Sequence, residues 1–227
     1  MITIQQFLDI KEMDIKDPDY DFNVIKMVFD ISFEDVLELT VDELRIKQKK
    51  IQQWMQIRKV SNDFIWENTN LIFEIKENIK FGEYIDLEQY LKNDDFDNFL
   101  KIFFNVNISF LSAPVTILFN AIDVFNSFQK TIFEAYENLF NFNEEEDKDD
   151  EERFISPKRQ AINSKEQQMA AKQKHYGWMV PAFQLAKNDI TKLNDVLETP
   201  FIMILNILSM IKDLKIELNP NSYIPEV

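Results

Sequence analysis

Apolar positions along this chain recur mostly at intervals of three and four residues, the spacing of one face of an α-helix. Thr3 is placed to cap a first helix running to about Met13, with Ile4, Phe7, Leu8 and Ile10 as its apolar stripe. Asp17-Pro18-Asp19 breaks the pattern. Residues 20–30 resume it with Phe22, Ile25, Met27, Val28 and Phe29. Ser32-Phe-Glu-Asp35 and Thr40-Val-Asp-Glu43 match the capping box, in which a hydroxyl and a carboxylate satisfy each other's free backbone N–H groups. They predict helices starting near 33 and 41, the second reaching about Lys59. Residues 1–59 thus read as an N-terminal helical module.

The pattern then changes. Phe64-Ile65-Trp66 and Leu71-Ile72-Phe73-Glu74-Ile75 are aromatic and β-branched, with Glu67-Asn-Thr-Asn70 as a turn-like spacer. This predicts a small β-hairpin between about 62 and 76. Helical spacing returns over 83–91 and 94–105. Pro114 suits the first turn of a further helix. Carried to about Phe142, that helix is about 45 Å long at 1.5 Å per residue. Its predicted inward side includes Ile117, Leu118, Ala121, Val124, Phe125, Phe128, Ile132, Phe133, Tyr136, Leu139 and Phe140. Residues 60–142 are therefore the hairpin plus a Phe-rich helical core. Eight acids and one lysine fill Glu144–Glu152, so 143–163 is expected to be an exposed acidic loop. Over 164–227, C-terminal helices are expected to pack on the core. One runs from near Ser164 past Trp178, with Pro181 bending or breaking it. A short one runs from Asp189 through Val196. A last one is started by Thr199-Pro200 and ends near Leu214. No repeat with a period of 20–50 residues stands out. The expected fold class is mainly α, a multi-helix bundle with one long central helix and a small β-hairpin.

Composition narrows the chemistry. The chain has 227 residues, no cysteine, one histidine and two glycines, so zinc fingers, thiol nucleophiles and glycine-rich phosphate loops lack their residues. His175 has no orienting partner and no nucleophile in any recognisable motif. Asp86, Glu88, Asp94, Asp95 and Asp97 form acidic pairs, but Asp95-Phe-Asp-Asn98 lacks the central glycine of a calcium-binding loop. No catalytic set, metal or cofactor is expected. The net charge of −15 opposes nucleic-acid binding. Arg45, Lys47, Lys49, Lys50, Arg58 and Lys59 read first as a solvated helix face and second as a contact for an acidic partner. The longest apolar run, from Ile108 to Phe119, is too short and too interrupted to span a bilayer, and no signal peptide is visible at the N-terminus. Ten phenylalanines lie between 99 and 142, a density that reads first as a Phe-rich core and second as a surface partly completed by another subunit or a client segment. The residues singled out for such contact are Phe99, Phe103, Phe125, Phe128 and Trp178.

Three stretches carry a family resemblance. They run from Asp21 to Leu44, an apolar helix followed by Ser-Phe-Glu-Asp-Val-Leu-Glu-Leu and a second capped helix, from Phe81 to Leu91, and from Tyr176 to Leu208. Together they resemble the small helical proteins of tailed-bacteriophage structural modules, among them tail assembly chaperones and ring components of the neck or tail. The resemblance implies a non-enzymatic protein that works by contact with other phage structural proteins and with copies of itself. It also implies a place in the host cytoplasm during assembly, or in the virion. The long Phe-rich helix and the acidic segment keep a ring or connector role open beside the chaperone role. The alternative is a host-directed acidic inhibitor that binds a basic bacterial protein.

Overall fold

A computed structural model describes residues 1–56, 63–140 and 177–214. The acidic block, His175, Arg58 and Lys59 lie outside these residues, as do the predicted helical stretch 164–176 and the residues after Leu214. The described chain is mainly α-helical, with one small hairpin. Its helices are α1 (Ile4–Glu12), α2 (Tyr20–Phe29), α3 (Phe33–Glu38), α4 (Val41–Gln56), α5 (Phe81–Lys92), α6 (Phe96–Phe104), α7 (Val115–Ala135), α8 (Glu137–Phe140), α9 (Met179–Leu185), α10 (Ile190–Leu197) and α11 (Phe201–Asp213). Strands β1 (Asp63–Trp66) and β2 (Thr69–Ile72) pair antiparallel.

The caps form as the sequence predicts. Thr3 Oγ1 accepts from Gln6 N at 3.1 Å, while Gln6 Oε1 accepts from Thr3 N at 3.0 Å. Ser32 with Asp35, and Thr40 with Glu43, close equivalent boxes at α3 and α4. The hairpin departs from its predicted register. Its turn is Glu67-Asn68 alone, and Thr69 and Asn70 belong to β2. Both turn residues have positive φ (48° and 63°), the two-residue turn whose twist matches the flanking strands. Trp66 consequently opposes Thr69, and Phe64 opposes the buried Leu71.

Other predicted helix boundaries also differ. The long helix ends at Ala135, about 32 Å along, and a single turn at Tyr136 separates it from α8. Pro181, expected to bend or break a helix arriving from Ser164, lies inside a helix whose described part begins at Met179. It is the third residue of α9, where the helix has no carbonyl to receive its missing N–H. Pro200, not Thr199, is the cap residue of α11, and Thr199 Oγ1 instead donates to Asp195 O at 2.8 Å.

The chain divides into two compact units, and the division falls inside α5 and α7. Unit 1 is Met1–Lys76 with Asp86–Lys130, and unit 2 is Glu77–Ile85 with Thr131–Val227. In unit 1, α1 and α7 start side by side at a one-rung antiparallel bridge, Thr3 opposite Pro114. Ile4 N donates to Ala113 O, and Val115 N donates to Ile2 O, both at 2.9 Å. The proline sits where no N–H is needed, so the rung loses nothing. The core around it takes in Ile2, Ile4, Ile25, Val36, Phe99, Leu100, Phe110, Leu118 and Phe125.

Unit 2 is started by the same device. Lys80 stands opposite Pro200, Phe81 N donates to Thr199 O at 2.9 Å, and Phe201 N donates to Ile79 O at 2.8 Å. The likeness extends into the sequence. Ile2-Thr-Ile-Gln-Gln-Phe-Leu-Asp-Ile10 returns as Ile79-Lys-Phe-Gly-Glu-Tyr-Ile-Asp-Leu87. Asn23-Val-Ile-Lys-Met-Val-Phe-Asp-Ile31 returns as Asn98-Phe-Leu-Lys-Ile-Phe-Phe-Asn-Val106. Paired positions are buried in both: Ile4 and Phe81, Ile10 and Leu87, Val24 and Phe99, Ile25 and Leu100, Val28 and Phe103. Even the ends match. Asp30 (φ 51°) and Asn105 (φ 52°) are left-handed C-caps, and the next N–H returns to Lys26 O in one and to Lys101 O in the other. The chain therefore carries one helix pair twice, α1–α2 and α5–α6, at a separation far beyond the usual repeat periods.

Candidate functional surface

The five predicted contact residues divide between the two units. Phe99, Phe103 and Phe125 are core residues of unit 1, at most 5% exposed. Phe99 meets Phe125 edge-on at 5.8 Å and Phe103 at 5.9 Å, and Phe103 continues to Phe104 at 4.9 Å. These rings are fully engaged within the chain, and a partner reaches them only by opening unit 1. Phe128 is half-buried on α7 of the same unit.

Trp178 belongs to unit 2. It is half-buried and follows Gly177, whose φ of +50° re-aims the chain into α9. Its indole stands edge-on to Phe81, Tyr84 and Phe201 at 5.7, 5.9 and 5.5 Å. Tyr84 and Phe201 stack at 3.8 Å. This four-ring cluster fills its own interior and closes the unit 2 core at the proline bridge, so Trp178 is a packing residue there.

Apolar surface is left instead on α11. Phe201, Ile204 and Leu205 face inward, while Met203 is 54% exposed, Met210 49% and Leu214 65%. With exposed Asn206 they form one stripe at i, i+3, i+7 and i+11. Tyr136, just past α7, donates its hydroxyl to Asn206 Oδ1 at 2.8 Å, and Lys212 Nζ donates to Asn138 O. The start of α8 is thereby held against the stripe. Beside it lies a cleft of about 400 Å³ whose lining includes Glu134, Glu137, Ser209, Lys212 and Asp213, three carboxylates to one ammonium.

No residue of this helix is singled out for contact by the sequence, because neither Met203 nor Met210 stands out in a run that is apolar at nearly every position. The signal lay in the internal correspondence. Pro114-Val-Thr-Ile-Leu-Phe-Asn120 aligns with Pro200-Phe-Ile-Met-Ile-Leu-Asn206. The first helix buries Ile117 completely and leaves Asn120 only 9% exposed, whereas the second exposes the equivalent Met203 and Asn206.

The cationic face of α4 is mostly solvated. Arg45 approaches Asp42 at 3.8 Å with both side chains largely exposed, and Lys47 Nζ lies 4.1 Å from the Phe29 ring centre. Of the acids considered for chemistry, Asp97 is structural. Burial pushes its pKa up. The Lys101 ammonium at 2.6 Å, the Phe110 N–H at 2.6 Å and the Ser109 hydroxyl outweigh that and hold it below the usual aspartate value. Asp95 caps α6 through Asn98 N, and Asp94 pairs with Lys11 at 2.5 Å. Among the described residues no group of three or more metal-ligating side chains converges, and no helix is long and apolar enough to cross a membrane. No family model matches the chain, nor does any curated protein or solved structure.

Proposed function

We propose that this chain is a non-enzymatic bacteriophage morphogenesis protein of the tail or neck. In this reading it acts by protein–protein contact, as a ring or connector component or as a tail assembly chaperone. It assembles with other phage structural proteins and with copies of itself. The resemblance of residues 21–44, 81–91 and 176–208 to helical proteins of tailed-phage structural modules supplies the biological setting.

The observation that carries the contact role is the α11 stripe. Methionine and leucine side chains half or more in water, on a helix whose other face is core, are what a helix awaiting a partner presents. Methionine also suits a surface that must fit more than one partner, since its unbranched chain repacks easily.

The test is sedimentation or native mass spectrometry of the chain alone and with the products of neighbouring genes, together with mass spectrometry of purified particles. Assembly with itself or with tail or neck proteins is expected. A strictly monomeric chain that binds none of them and is absent from particles overturns the reading.

A further inference from the structure

Helix α4 runs against the charge of the chain. From Leu44 to Gln56 it has no carboxylate and four cations, Arg45, Lys47, Lys49 and Lys50, in a protein of net charge −15. Its exposed face carries Arg45, Ile46, Lys49, Lys50 and Gln53. Ile46, flanked by the cations, is 61% exposed. Among the described residues Lys49 and Lys50 have no ion-pair partner, and Arg45 has only its 3.8 Å approach to Asp42.

Unit 1 also holds the complement of this face. A cleft of about 530 Å³ lies where α1 gives way to α2. Half-buried Met13, Tyr20, Met27 and Ile31 give it an apolar lining. Three exposed carboxylates, Asp14, Asp17 and Asp30, stand there against one cation, Lys26. Among the described residues none of the three is in an ion pair; Asp14 and Asp17 accept only the turn N–H groups of Lys16 and Asp19.

The two surfaces lie on opposite sides of α2. Tyr20, Asn23 and Met27 line the cleft. Helix α4 is held instead through Asp21, which accepts from Gln48 Nε2 at 3.1 Å, and through Phe29, whose ring lies 5.6 Å from Trp54. At 3.6 residues per turn these two sets point in opposite directions. One copy therefore cannot bring its basic face to its own cleft, whereas a second copy can. Two basic faces repel, as do two clefts, so charge selects the mixed pairing. We propose that unit 1 joins copies of this chain head to tail, the Arg45–Ile46–Lys49–Lys50 face of α4 in one copy seating in the Asp14–Asp17–Asp30 cleft of the next. Ile46 then meets the apolar lining while the cations meet the carboxylates. Each contact leaves one basic face and one cleft free, so the pairing continues into a ring or a filament. The remaining acids of two copies repel, but at 0.1 M salt that repulsion is screened beyond about 10 Å, while groups in contact still attract. The inference goes beyond the α11 contact and does not depend on it.

The test is sedimentation of the full chain up to submillimolar concentration, at 0.1 M and at 1 M salt. Association is expected at 0.1 M and is expected to be lost at 1 M. K49E/K50E and D14N/D17N/D30N should each weaken it about tenfold. The asparagines keep the oxygens that accept the turn N–H groups, and Asn105 already serves as the left-handed cap that matches Asp30. Mixing the two variants should give a one-to-one pair and nothing larger, since one supplies only a cleft and the other only a basic face. Circular dichroism checks folding, and the single variants K49E and D17N repeat the test if a multiple variant unfolds. A chain that stays monomeric at 0.1 M salt overturns the proposal, as does assembly indifferent to both charge variants. A mixture that pairs no better than its components shows that the two surfaces do not meet, with the same consequence. Assembly lost in M203S/M210S and unchanged in the charge variants overturns the proposal while leaving the α11 contact role standing. Capture of a single-stranded oligonucleotide that K49E/K50E abolishes, without self-association, assigns the basic face to nucleic acid and also overturns it.

Discussion

Helix α7 leaves its proline bridge into surroundings that bury Val115, Thr116, Ile117 and Leu118 in succession, whereas α11 leaves an equivalent bridge with Met203 already half in water. The two starts are alike because backbone pairing determines them. Two N–H···O bonds across a single rung orient each helix whatever its side chains later meet. The far sides differ because tertiary neighbours determine them, and those neighbours differ between the units. Local sequence thus specifies where a helix begins and which way it points, while the fate of its second face is a property of what surrounds it.

The sharpest way to break this comparison is at the bridges. Phe201→Ala removes a ring that stacks on Tyr84 and stands edge-on to Trp178, and should cost about 3–5 kcal/mol in denaturant unfolding. Val115→Ala, at the matching position, removes fewer atoms and should cost less. Equal losses would show that Phe201 does not anchor unit 2. A second pair separates the two faces. Ile117→Ala should cost about 2–5 kcal/mol, and Met203→Ala should stay within about 0.5 kcal/mol, since one side chain is enclosed and the other half solvated. A large loss at Met203 would mean that the stripe is already covered.

The helix pairs differ in one ionic feature. Asp97 of α6 is held below its ordinary pKa, while the matching position of α2 is Phe22. A depressed carboxylate stabilises the fold above its unfolded pKa, and that contribution disappears as pH falls through the lower folded value. Asp97→Asn should therefore cost about 1–3 kcal/mol at neutral pH and progressively less in acid. A constant difference between variant and parent from pH 7 to below pH 4 would remove Asp97 from the acid response. The smallest contrast lies at the first caps. Thr3→Ala opens a complete capping box and should cost about 1 kcal/mol. Lys80 has no hydroxyl, and only Glu83 reaches back to its N–H, so Lys80→Ala should change stability by less than Thr3→Ala does.

The legible part of the fold was its local grammar. Hydroxyl–carboxyl pairs at Ser32 and Thr40 announce helix starts because both partners lie within one turn, and apolar spacing identifies α1, α2, α5 and α6. What could not be read depends on distant groups. The hairpin register hangs on Glu67 accepting a left-handed conformation, which its residue type does not advertise. The end of α7 falls where Tyr136 is bonded to Asn206, a residue that helical spacing cannot bring near. Aromatic density pointed correctly to a Phe-rich core but could not tell inward from outward. Phe99, Phe103 and Phe125 are enclosed, while the exposed stripe is made of methionines that the sequence analysis did not single out.

The two proline bridges also order events in time. Thr3 is made early, yet its partner strand position is Pro114, and Lys80 must wait for Pro200. On a ribosome, α1 emerges long before the backbone groups that will orient it, and α5 emerges before the first bridge can close. Each bridge joins residues far apart along the chain, so its closure bears the entropy of a long loop and comes late rather than early. The nascent chain therefore passes through an interval in which both copies of the helix pair are exposed together, neither bridge is complete, and each helix pair could form the bridge intended for the other. Among the described residues, only the second of the two bridges carries a side-chain contact to its partner segment, the Lys80 ammonium bonded to Glu198, whereas the Thr3 capping box closes within α1.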